Sequence, residues 1–263
     1  MKHVVVFPED GTTVRGASDP NNWHLTTQEL ERQIEAKGWK MHAYPDEVAG
    51  VDPKDRNTLA IYNGISTQYQ PPIIERSLLI INEPPIVKPR LYERLHGWPV
   101  RRVLTFSHEL VDDKRVFFSP FPVPSYSKDL SGVVRDKYIC AITSGGKSFP
   151  GGLYEDRRQA YMGWGKDLDL YGWGWEKDAE MLDKVNYCGP VDDKVAVLAR
   201  YRYAIVFENQ IVHGYNSEKL YHCLQAGTVP LYRGSKRDVL PLGEVTEEPW
   251  ARRIVAHLEA ICD

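Results

Sequence analysis

The sequence has no run of 18 apolar residues, the length an α-helix needs to cross a bilayer. It also lacks a basic excess: 33 Lys and Arg stand against 36 Asp and Glu, a formal net charge of −3. A protein held to nucleic acid by phosphate contacts needs surplus positive charge, so the balance argues against that class. One local basic pocket for a small anion stays compatible with it. The four cysteines (Cys140, Cys188, Cys223 and Cys262) contain no C-x-x-C pair, which leaves a structural zinc site or a disulfide framework without its usual spacing. The opening MKHVVVFPEDG has only a three-residue Val run before charge returns, too short for the apolar region of a secretory signal. Repeats and low-complexity tracts are missing as well. The expectation is a cytoplasmic globular protein with reduced thiols.

What is present suits a large core. The chain has 263 residues, 42% hydrophobic and 26% charged, enough to bury most of its apolar surface as one or two domains. Strand-like and helix-like stretches alternate, the pattern of α/β proteins with parallel sheets. Residues 4–7, 59–62, 78–82 and 102–106 read as strands, and 89–96 as a short helix. Thr26 and Glu29 have capping-box spacing, and Gly38 supplies a stop, so a helix is expected over 27–37. Three prolines within residues 118–124 exclude regular structure there and mark a linker. After it come strands at 138–143, 168–171, 203–207 and 228–232. Helices are expected at 154–165, 192–200, 217–226 and 247–261. The last carries Trp250, Ile254, Leu258 and Ile261 on one face, a stripe that packs back on a core. This divides the chain into domains 1–128 and 129–263, whose ligands belong beyond the carboxyl ends of strands.

The most informative stretch follows the strand at 203–207. The polar loop Glu208-Asn209-Gln210 leads to a helix that Asn216 or Ser217 caps. The first turn of that helix exposes backbone N–H groups beside Lys219, a combination that holds phosphate, and Glu218 offers an acceptor for sugar or ribose hydroxyls. An ordinary capped helix with no ligand explains the same residues. Thr143–Ser148, written TSGGKS, imitates the end of a Walker loop, yet Ala141 stands where the first glycine belongs and Phe149-Pro150 follows where a helix should. Asp167 and Asp169 form a D-x-D that can share a cation only if both face one side, and strand entry is the simpler reading. The neighbours Ser107 and His108 do not make a hydrolase triad. Glu83, where the strand 78–82 ends, is placed as a general base would be, or as a plain loop carboxylate.

Taken jointly, these stretches resemble the α-1,3-fucosyltransferases of glycosyltransferase family ten. The resemblance is carried by residues 198–203 (LARYRY), by Phe207-Glu208-Asn209 and by residues 215–220 (YNSEKL). It continues through residues 226–234 (AGTVPLYRG), with Arg157 fourteen residues before Tyr171-Gly172. Asn82-Glu83-Pro84-Pro85 and Phe117-Phe118-Ser119-Pro120 add a thinner upstream match, and the first 75 residues add none. The family's Ser is Gln210 here, and its Val-Thr are Asn216-Ser217.

The resemblance implies an α/β, GT-B-type chain of two Rossmann-like domains facing across a cleft, with an acceptor-side domain first and a donor-binding domain second. It implies inverting transfer of fucose from GDP-fucose to a glycan hydroxyl, with Glu83 as the catalytic base. Arg157, Asn209, Tyr215, Glu218 and Lys219 would be the donor-binding residues, with Arg158 replacing Arg157 if the register shifts by one. No metal ligand is expected and no cofactor is obligatory, which leaves room for stimulation by a divalent metal. Two other readings stay open: a glycosyltransferase using another GDP-sugar, and a catalytically silent module that binds glycan or nucleotide.

Overall fold

The computed structural model describes residues 1–8, 23–64, 74–95, 97–146, 148–237 and 239–262. Its contacts divide the chain into two compact units, Met1–Ser125 with Gly243–Asp263, and Tyr126–Leu242.

The first unit is built on β1 (His3–Phe7), α1 (Trp23–Ala36), β2 (Lys40–Ala43), β3 (Thr58–Asn63), β4 (Ser77–Ile81), α2 (Pro89–Arg94), β5 (Arg102–Thr105) and β6 (Val116–Phe118). All six strands are parallel, in the order β2-β1-β3-β4-β5-β6. Strands such as β4, Ser-Leu-Leu-Ile-Ile with every residue buried, are continuous apolar runs because a parallel sheet is covered on both faces.

The second unit continues with β7 (Lys137–Ile142), α3 (Tyr154–Trp164), β8 (Leu168–Tyr171), α4 (Ala179–Lys184), β9 (Asn186–Gly189) and α5 (Lys194–Leu198). It closes with β10 (Tyr201–Phe207), α6 (Glu218–Ala226) and β11 (Val229–Arg233). These five strands are also parallel, ordered β11-β10-β7-β8-β9. The order reverses between β7 and β10, so the loops leaving those two strands diverge to opposite faces. Pro230 is accommodated because β11 is an edge strand, paired only with β10. The fold class expected from the alternation, two parallel α/β sheets, is the one observed. β2, α4 and β9 are short elements that periodicity did not reveal.

Three local expectations need correction. The helix α1 starts at Trp23, so Thr26 lies inside it and is no cap. The Thr26 hydroxyl is buried without a hydrogen-bond partner among the described residues. Glu29 turns instead to Arg32 and Gln33, each 2.7 Å away. The proline-rich segment is no loose linker either: residues 119–124 are buried, Val123 completely, and Val123 N–H donates to Val245 O at 2.8 Å.

The third correction concerns the boundary of the second domain, expected to run to residue 263. After α7 (Leu242–Val245) the chain enters α8 (Glu247–Cys262), which belongs to the first unit. Trp250, Ile254, Leu258 and Ile261 join one core cluster with Leu30 and Ile34 of α1 and with Val4, Leu59 and Leu78 of the sheet. Glu247 secures the helix start by accepting from both N–H and Oγ–H of Ser125 at 2.9 Å. The physical reason is the apolar stripe itself, which α1 and the first sheet cover.

Leu258 is fully buried, so Leu258→Ala removes packing that cannot reform locally. The expected cost is about 2–5 kcal/mol. Urea unfolding followed by separate probes in residues 1–125 and 126–242 should show the loss in the first unit and leave the second nearly unchanged.

Candidate functional site

In parallel α/β sheets, ligands bind beyond the carboxyl ends of the strands where strand order reverses. In the second unit that point lies between the exits of β7 and β10. Residues Thr143, Ser144 and Gly145 leave β7, and Glu208 and Asn209 leave β10. The backbone joins the two neighbourhoods, because Leu153 N–H, at the start of α3, donates to Asn209 O at 3.0 Å.

Arg157, in the first turns of α3, is brought to the exit of β7. Its Nη1 donates to Thr143 Oγ1 at 3.0 Å and its Nη2 to Ser144 O at 3.2 Å. The guanidinium lies 5.0 Å from the Tyr154 ring centre and 6.0 Å from that of Trp175. Arg157 is only 4% exposed, its Nε is buried without a partner, and no carboxylate lies within ion-pair distance among the described residues. A buried cation without a counter-ion is costly, and two aromatic faces offset only part of that cost. Its neighbour Arg158 is used differently. It pairs with Asp178 at 3.0 Å and Glu180 at 2.6 Å, so its charge is already matched.

The exit of β10 carries the opposite charge. Glu208 is 1% exposed and sits against the start of α6. Its carboxylate accepts from Ser217 N–H at 2.8 Å and from Ser217 Oγ–H at 2.6 Å. Lys219 Nζ is 3.0 Å from Ser217 Oγ, 3.7 Å from Glu208 Oε2 and 3.6 Å from Glu218 Oε1. Ser217 caps α6, its Oγ accepting from Lys219 N–H. Burial pushes the Glu208 carboxyl up, against the opposing pull of Lys219 and Ser217. Burial would also raise Glu218, yet Lys219, Lys194 and His222 outweigh it and hold that carboxyl down at about 2. His222, one turn further along, is pushed down to about 4, by burial above all.

The residues named from sequence therefore divide. Asn209 stands on the β10–α6 connection, Glu218 and Lys219 open α6, and Arg157 reaches the β7 exit. Tyr215 lies on the same connection but is 1% exposed, with its ring in the interior. Glu83 belongs to the first unit, just beyond β4, where its carbonyl accepts from Tyr92 Oη–H at 2.8 Å. The D-x-D separates as strand entry requires: Asp167 is exposed, while Asp169 accepts from Lys137 at 2.7 Å and Tyr201 at 2.6 Å. No cluster of His, Cys, Asp and Glu suited to a metal occurs among the described residues. Lys147 of the Walker-like stretch lies outside the described residues.

Sequence reasoning passed over Glu208, Tyr232, Thr143 and Trp175. The Tyr232 hydroxyl lies 3.2 Å from Glu208 Oε1 and 2.9 Å from Asn216 Oδ1, joining β11 to the cap. Gly234 follows from that contact, since a Cβ there would come within 2.3 Å of the Tyr232 hydroxyl. Gly172 has φ +126°, and a Cβ would meet Thr143 O at 1.9 Å, so only glycine lets the β7 and β8 exits approach. The signals available for Glu208 were its place in the Phe207-Glu208-Asn209 stretch that carries the resemblance and its position directly after an apolar strand, nine residues before a capping serine.

Stability should fall with acid in a way these groups dictate. Glu218 titrates at about 2 in the fold against an ordinary 4.5. Its contribution is complete above pH 4.5 and is lost as pH falls towards 2. His222 has a folded value of about 4 against 6.5, so the unfolded chain takes up its proton first and stability drops as pH falls from 6.5 through 4. Urea midpoints should decline less steeply in Glu218→Gln than in the wild type below pH 4.5, and less steeply in His222→Gln between 6.5 and 4.

No family model matches the chain, and no curated protein does. Solved structures do resemble it. An alpha-glucosyltransferase in complex with UDP and a 13-mer DNA aligns over 99% of this chain and 90% of its own, with 12% identity and a TM-score of 0.50. An alpha1,3-fucosyltransferase aligns over 99% and 81%, with 10% identity and a TM-score of 0.49. S. aureus TarM aligns over 91% and 53%, with 10% identity and a TM-score of 0.49. At such identities the likeness concerns fold alone. The chain has a GT-B-type α/β fold, with two Rossmann-like parallel-sheet domains.

Proposed function

We propose that this chain is an inverting glycosyltransferase that transfers fucose from GDP-fucose to a glycan hydroxyl. The observation that carries the reading is Arg157, a buried guanidinium with no carboxylate counter-ion among the described residues, at the strand-order reversal of the second unit. A diphosphate supplies the anion that such a cation lacks. Lys219 supplies a second cation at the capped start of α6. Glu208 and Glu218 keep the Lys219 ammonium at that helix start instead of leaving it free in solvent.

The chemistry follows from charge. As the bond from the anomeric carbon to the diphosphate oxygen breaks, negative charge grows on the leaving GDP. Fixed cations stabilise it more in the transition state than in the bound donor. Glu83 takes the acceptor proton while the acceptor oxygen attacks from the opposite side, which inverts the anomeric centre. Asn209 can donate to or accept from the sugar or ribose hydroxyls, and the Glu218 carboxylate accepts from them. Tyr215, buried beneath the loop, supports its shape. The protein's own cations carry the diphosphate, so a divalent metal would be a stimulant and no requirement.

Calorimetric titration tests the donor site. GDP should bind the wild type, and Arg157→Gln and Lys219→Ala should each weaken it about tenfold or more, as expected for charge-assisted hydrogen bonds. Glu83→Gln should bind GDP unchanged and lose transfer from GDP-fucose by about a hundredfold or more. Failure of the folded wild type to bind GDP overturns the donor assignment. Unchanged transfer by Glu83→Gln overturns the base, and GDP binding with turnover of GDP-mannose alone would replace fucose as the sugar.

A further inference from the structure

Trp173 is 67% exposed, the most exposed tryptophan, tyrosine or phenylalanine side chain among the described residues. It immediately follows the β8 exit, on the same sheet edge as the β7 loop that Arg157 grips. Its exposure does not come from a slack loop. Gly172 N–H donates to Gly189 O at 2.9 Å, Trp173 O accepts from Gly145 N–H at 2.7 Å, and Gly174 N–H donates to Glu176 Oε2 at 2.7 Å. Tyr187 Oη–H closes the other side by donating to Gly172 O at 2.9 Å. Gly172 and Gly174, at φ +126° and +90°, allow the tight backbone path on either side of the indole. A large apolar ring is thus held out into solvent by a backbone whose polar groups are bonded on each side.

We propose that the Trp173 indole is the platform on which the base of a nucleoside diphosphate stacks, with the phosphates running towards Arg157. The two features meet on one short stretch of chain. Trp173 bonds Gly145, and Arg157 bonds the preceding residue, Ser144, and carries a buried Nε without a partner. A ligand that satisfies both needs a flat π-face at one end and an anion at the other, which a nucleoside diphosphate has and a neutral glycan lacks. Stacking on an exposed aromatic tolerates any base, so Trp173 supplies affinity and another group must choose between guanine and uracil. This inference rests on the donor-site reading given above and locates the base within that site.

The test compares GDP and UDP with inorganic pyrophosphate, which keeps the anion and lacks the base. Each is titrated into the wild type, Trp173→Ala and Trp173→Phe. Because the side chain is solvent-facing, the alanine variant should fold normally, which circular dichroism and its melting temperature will check. Trp173→Ala should weaken the nucleotides about fivefold or more and leave pyrophosphate unchanged, while Trp173→Phe recovers most of the loss. Unchanged nucleotide affinity in Trp173→Ala overturns the platform while leaving the donor site standing. An equal loss for pyrophosphate also overturns it, since the substitution would then act through the loop and not through the base. A wild type that binds neither nucleotide nor pyrophosphate fails at the earlier step, removing the donor site and the platform together.

Discussion

A parallel sheet covered on both faces has only one place for polar chemistry, the rim where its strands end. The strands of the first sheet are buried through most of their length. In the second sheet Asp169, Lys137 and Tyr201 form one polar group within the strands, and Arg157 and Glu208 lie at the strand exits. In the second sheet the strand order also reverses between β7 and β10, so two of those loops part instead of packing side by side. Arg157, Glu208, Ser217 and Lys219 all come to that region because of this arrangement.

The electrostatics at the two exits are asymmetric. At β10 the anion is internal: Glu208 binds the N–H and hydroxyl of Ser217 and lies near the Lys219 ammonium, so this helix start already has a carboxylate from its own chain. At β7 the cation is internal, and among the described residues no carboxylate pairs with it. Arg157 has a hydroxyl, a carbonyl and two aromatic faces for company, which satisfy its donors in part and its charge hardly at all. The neighbouring Arg158, with two carboxylates, shows what a purely structural arginine looks like on the same helix. This contrast is why the proposed diphosphate site rests on Arg157 more than on the capped start of α6.

The path of the chain is the other architectural point. It leaves the first unit after Ser125 and returns at Gly243, so the first sheet depends on a helix encoded at the far end of the sequence. The stripe on α8 is matched by that on α1, with Lys37 and Glu259 paired at 2.6 Å and Arg102 Nη1 lying 3.0 Å from His257 Nδ1. Burial, together with the positive charge of Arg102, pushes His257 down to about 4, so it stays neutral in this interface under ordinary conditions.

Local pattern was enough for much of this. Apolar runs located β1, β3, β4, β5, β7, β8, β10 and β11, the cap at Asn216 or Ser217 located α6, and an apolar stripe located α8, because those signals are local. The loop holding Asn209 and the helix start holding Glu218 and Lys219 were legible for the same reason: a strand, a polar turn and a capping serine follow one another in the chain. β2 and β9 escaped, since Lys40-Met41-His42-Ala43 and Asn186-Tyr187-Cys188-Gly189 are not apolar runs. Tertiary contact alone decided the rest. It set α8 against the first sheet, turned Tyr215 inward, and gave Glu208 to Ser217 across nine residues. It also gave Asp178 and Glu180 to Arg158, and gave Arg157 no carboxylate among the described residues. Charge compensation depends on which groups lie within a few ångströms, and that is a property of packing that no stretch of sequence carries by itself.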